Sequence, residues 1–77
     1  MLIRLYEEKE KRTLVIELYE SPSMFTVEIQ SGLFYGYDEA LTLTRIDVRD
    51  EKLIDPILYE LEELLKSADV KIIKKAA

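Results

Sequence analysis

Residues 55–66 read Asp55-Pro56-Ile57-Leu58-Tyr59-Glu60-Leu61-Glu62-Glu63-Leu64-Leu65-Lys66, and this stretch decides the fold class. Ile57, Leu58, Leu61, Leu64 and Leu65 recur at helical spacing as one apolar stripe, with Glu60, Glu62, Glu63 and Lys66 on the other side. Asp55 can cap free N–H groups and Pro56 suits the first helical position, so a helix is expected from there to about Ser67. Glu51 to Ile54 is read as an additional turn, with Ile54 stapled onto Tyr59.

Outward from that helix the period changes from 3.6 to 2. Upstream, Met1, Ile3 and Leu5 alternate with Leu2, Arg4 and Tyr6; after the charged stretch Glu7–Arg12, Leu14, Ile16 and Leu18 alternate with Thr13, Val15, Glu17 and Tyr19. Ser21-Pro22-Ser23 interrupts, and a third strand is expected to bury Phe25, Val27 and Ile29 while exposing Thr26, Glu28 and Gln30. Leu33–Tyr37 follows Ser31-Gly32 as a hairpin connection or a short bent strand. In the fourth long β segment, Ala40–Arg49, the apolar parity shifts from Leu41 and Leu43 to Ile46 and Val48, which predicts a bulge or sharp bend near Thr44-Arg45. Downstream of the helix, Val70–Ile73 reads as a short strand, and residues 74–77 as a fraying tail.

The expected fold is therefore α+β in the order ββββαβ. A four-stranded, mainly antiparallel sheet, with a meander favoured, carries one amphipathic helix on one face and a short C-terminal strand. With 77 residues, a single small domain is expected. So short a chain buries only about 60% of its unfolded surface, so association would add to its stability.

Composition excludes most familiar catalytic machinery. The chain has no cysteine and no histidine, which removes thiolate nucleophiles, cysteine–zinc sites and the commonest general base. Gly32 and Gly36, its two glycines, form neither a phosphate loop nor a dinucleotide fingerprint, and no EF-hand loop occurs. The densest carboxylates, Glu60, Glu62 and Glu63 with Asp38-Glu39, read as a solvated surface. No enzyme activity, metal, cofactor or small-molecule substrate is expected. No apolar run reaches transmembrane length, and Glu7-Glu8 interrupts any signal-peptide core, so a cytoplasmic protein with no membrane partner is expected. Asparagine is absent and Gln30 is the single glutamine, a bias shared with hyperthermophile proteins.

Two sets of residues are candidates for partner contact. Phe34, Tyr35 and Tyr37, in a segment that holds both glycines, Gly32 and Gly36, offer low-entropy aromatic area in a turn, unless alternate members complete the core of a β segment. Leu2, Tyr6, Val15 and Tyr19 fall on the sheet face opposite the helix and would leave an apolar patch there. The leading expectation is a non-enzymatic protein-interaction module, a homodimer associating through that second face or an edge together with the aromatic loop.

Single-stranded nucleic-acid binding is the alternative. The net charge of -5 is concentrated on the helix, so a phosphate-binding surface would have to use Arg4, Lys9, Lys11, Arg12, Arg45 and Arg49 on the sheet side. The ββββα order resembles, in topology, the small single-strand-binding domains of the transcriptional-coactivator and Whirly type, which use paired sheets and dimerise. That resemblance implies a nucleic-acid surface without assigning it to any residue. An acidic regulatory or inhibitory protein that binds a basic partner is the third reading.

Overall fold

The computed structural model describes residues 1–64 and the strand Lys71–Ala76; the expected helix end at residues 65–67 and strand start at Val70 lie outside these, as do the side chains beyond residue 64. The elements are β1 (Leu2–Glu8), β2 (Lys11–Glu17), β3 (Phe25–Gln30), β4 (Leu33–Tyr37), β5 (Leu43–Val48), α1 (Glu51–Leu64) and β6 (Lys71–Ala76). All strands join one sheet in the order β3-β4-β5-β2-β1-β6. Every pairing is antiparallel except β1 with β6, which is parallel.

The α+β class, the single helix and the mainly antiparallel sheet stand as read from the sequence, and of the two readings of Leu33–Tyr37 the strand is the one present. Leu33–Tyr37 is a full strand, so five strands precede α1, and the four-strand order behind the coactivator resemblance is not present. Nor is the sheet a meander: β2 pairs with β5, through Leu14 opposite Val48 and Ile16 opposite Ile46. This pairing sets the most regular apolar alternations side by side beneath the helix. The connection at residues 18–24 crosses the ends of β5 and β4. Leu18 N–H donates to the Thr44 carbonyl at 2.8 Å, and Met24 N–H donates to that of Tyr37 at 2.7 Å. Strand β6 continues through Ala76, taking in Lys74, Lys75 and Ala76, which the sequence assigned to a tail.

Between Gly36 and Tyr37 the partners on β5 jump from Arg45 to Leu43, leaving Thr44 as the extra residue. The bulge anticipated at Thr44-Arg45 is therefore present. Leu43, Ile46 and Val48 all point to the helix side, as the change of parity required.

The helix starts earlier than Asp55-Pro56. Asp50 caps it, its Oδ1 accepting from Lys52 N–H at 3.0 Å, and the additional turn at Glu51–Ile54 is part of α1. Pro56 lies inside the helix on its exposed side, where water can take the carbonyl bond that proline cannot. No Ile54–Tyr59 staple forms, since Ile54 is fully buried and Tyr59 is 62% exposed. Leu64, a member of the expected stripe, is also exposed.

Ile54 and Leu58 of α1 form one cluster with Ile3, Leu5, Leu14, Ile16 and Val48, with Ile57 and Leu61 packed at its margin. Arg12 at the start of β2 pins the helix from below. Its guanidinium donates twice to the Asp55 carboxylate, at 2.9 Å each, and its Nε donates to Glu51 Oε1 at 2.7 Å. These bonds, Asp55 first, push the Arg12 pKa upward, and the Arg12 bond in turn lowers that of Asp55.

Candidate interaction surfaces

A helix about 10 Å across covers roughly two strands spaced 4.7–4.9 Å apart. Here α1 lies over β2 and β5. The two strands farthest out on that flank, β3 and β4, therefore form a wing with no helix above it. Residues opposite one another across antiparallel strands share a face. Leu33, Tyr35 and Tyr37 oppose Val48, Ile46 and Leu43, so they point to the helix side; Phe25 and Val27 oppose Tyr37 and Tyr35 and point the same way.

Phe25, Val27 and Ile29 were expected in the core, yet all six residues of β3 are exposed, Phe25 at 53% and Val27 at 47%. Ile29 is the extra residue where the β3–β4 register shifts between Glu28 and Gln30. The helix side of the wing comprises Phe25, Val27, Gln30, Leu33, Tyr35 and Tyr37, with no charge among them in a chain that is 35% charged. A sign of this surface was available in the sequence: one helix cannot roof so many strands, so one apolar strand had to remain open.

The outer margin of the wing is a sheet edge. Among edge strands, lysine is a common guard against unwanted pairing. Strand β6, at the other edge, has lysine at three of its six positions, whereas β3, Phe25-Thr26-Val27-Glu28-Ile29-Gln30, has none. At the adjoining β4–β5 turn, Asp38 Oδ1 accepts from Ala40 and Thr42 N–H, both at 2.9 Å, and Leu41 is held at φ +62° with 71% of its surface exposed. A leucine is strained in that region of backbone space, so the turn presents an apolar side chain from a conformation that costs energy.

The open face, opposite the helix, is different. Phe34 points there, away from Tyr35 and Tyr37, so the three aromatics belong to a strand and divide between two faces instead of sharing a loop. Leu2, Tyr6 and Val15 also lie there, but Leu2 and Tyr6 are half-buried and Val15, only 3% exposed, supports the sheet instead of presenting a contact. Tyr19, beyond the end of β2, is exposed.

Most of the basic residues singled out have partners within the chain. Arg4 pairs with Glu17, and Arg45 donates to Asp47 at 2.6 Å, which raises the Arg45 pKa. Arg49 sits 4.6 Å from the centre of the Phe34 ring, a cation–π contact. Arg12 is on the helix side, committed to α1, while Lys9 lies in the β1–β2 turn at φ +55° and Lys11 follows it at the start of β2. A shallow cleft of about 580 Å³ bordered by Arg4, Glu17, Tyr19, Ser21 and Arg45 carries charges of both signs.

Among the described residues, no helix is long and apolar enough to cross a membrane, and no group of three or more acidic residues is placed to hold a metal ion. Compared with protein-family models, with curated proteins and with solved structures, the chain finds no match in any of the three.

Proposed function

We propose that this protein is a non-enzymatic interaction module that associates with itself through the β3–β4 wing. The observation that carries the reading is strand β3, which alternates apolar residues as a core strand does and yet is exposed along its whole length. Folding leaves this apolar surface in water, and a contiguous patch of this kind marks association in soluble proteins. The open face supports the nucleic-acid reading less well, because Arg4 and Arg45 are already bonded to carboxylates, and phosphate would have to displace them.

Sedimentation equilibrium from micromolar to submillimolar concentration tests the proposal. The parent should approach twice the 9.0 kDa of the chain, and Val27→Asp, at an exposed site, should remain monomeric and still melt cooperatively, lacking only the concentration-dependent part of the parent's stability. A parent that stays monomeric throughout, or a Val27→Asp variant that associates as tightly as the parent, refutes it. Binding of a labelled single-stranded oligonucleotide at low salt, with the parent monomeric, would favour the nucleic-acid reading instead.

A further inference from the structure

We propose that the occupant of the wing is the wing of a second copy, packed face to face so that two sheets stack beside the two helices. The inference rests on the self-association reading and adds its geometry. Stacked sheets lie about 10 Å apart, close to the depth of a helix on a sheet, so a second sheet over β3 and β4 sits in the layer that α1 occupies over β2 and β5. The twofold operation then places each β3 edge against the partner's helix, covering its free N–H and C=O groups.

Charge and area both point to a second copy. The surface offers an oppositely charged partner nothing, since Phe25, Val27, Gln30, Leu33, Tyr35 and Tyr37 are all neutral, whereas apolar and tyrosine side chains are complementary to themselves. With Phe25 and Val27 about half exposed, Gln30 exposed, and Leu33, Tyr35 and Tyr37 partly so, the patch amounts to on the order of 500 Å² per copy. Doubled, that reaches the lower bound of about 1,000 Å² for a specific interface.

The competing arrangement pairs β3 with β3 edge to edge, and it leaves the neutral face exposed. The two predict opposite mutational responses. In the stacked arrangement Tyr35 is central, while Thr26, on the opposite face, is remote from the contact. In an edge pair with Val27 on the twofold axis, Thr26 lies opposite Glu28 of the partner subunit, and Tyr35 is one strand removed from the contact.

Analytical ultracentrifugation of Tyr35→Asp and Thr26→Asp separates them, with thermal melts to confirm folding and Tyr37→Asp as a second probe of the face. Stacking predicts that Tyr35→Asp raises the dimer dissociation constant by about 30-fold or more, as for a central contact residue, and that Thr26→Asp changes it by less than about threefold. The reverse pattern, with Thr26→Asp weakening the dimer by like-charge opposition and Tyr35→Asp sparing it, overturns stacking and leaves self-association standing. A dimer indifferent to both substitutions removes the wing as contact surface, and a parent with no dimer removes both proposals.

Discussion

Replacing Gly32 by alanine should destabilise the fold by about 2–4 kcal/mol. Gly32 closes the β3–β4 hairpin at φ +78°, where an L-alanine costs about 1–2 kcal/mol relative to its usual conformations. An added Cβ would lie 2.7 Å from Asp50 Cβ and 2.8 Å from the Asp50 backbone nitrogen, and backbone atoms cannot rotate aside. The displacement falls on the hinge between sheet and helix. There the Gly32 carbonyl accepts from Arg49 N–H at 2.7 Å and Asp50 N–H at 3.3 Å, and Asp50 caps α1.

A lost hydrogen bond and a weakened cap contribute about 1 kcal/mol each. The reduced entropy of the unfolded alanine chain offsets only about 0.4–1 kcal/mol. For a 77-residue chain of ordinary stability, the total margin is about 4–12 kcal/mol. The melting midpoint should therefore fall on the order of 10–30 °C, followed by circular dichroism and by urea titration at unchanged m-value. A loss below about 1 kcal/mol would refute the argument, because it would show that the hairpin and the helix cap can separate without penalty.

Gly36→Ala should cost less, about 1–2 kcal/mol by urea titration. Its Cβ would meet Ser23 Oγ at 2.6 Å, a side chain that can turn away, and Ser23→Ala in the same chain should recover part of the loss. Thr44→Val should cost about 1–3 kcal/mol in the same assay, because the buried Thr44 hydroxyl links Ser23 Oγ at 3.0 Å to the Gly36 carbonyl at 3.3 Å. Asp55 has its pKa lowered by Arg12, so its stabilising effect is complete above the unfolded value near 4 and is lost as pH falls through the depressed folded value. The difference in melting temperature between the parent and Asp55→Asn should accordingly be present at pH 7 and vanish in strong acid, as scanning calorimetry can check.

Features that depend on neighbours along the chain were legible before any fold was known. The alternation in residues 2–6 and 13–18, the helical stripe through Ile57, Leu58 and Leu61, and the parity change that places a bulge at Thr44 are local signals, and each has its counterpart in the structure. The missing histidine and cysteine likewise bound the chemistry without any fold.

Which strands became neighbours, and which apolar faces were roofed, followed from long-range packing instead. Alternation says that Phe25 and Val27 share a face, but whether that face meets a helix depends on the position of β3 in the sheet order. The connection at residues 18–24 carries β3 past β5 and β4 to the edge, beyond the reach of α1, so residues patterned for a core lie in water. The same limit applies to Val15, which looks open by alternation and is buried in the assembled sheet. Periodicity assigns a side chain to one of two faces, and the burial of that face depends on contacts among residues far apart in the chain.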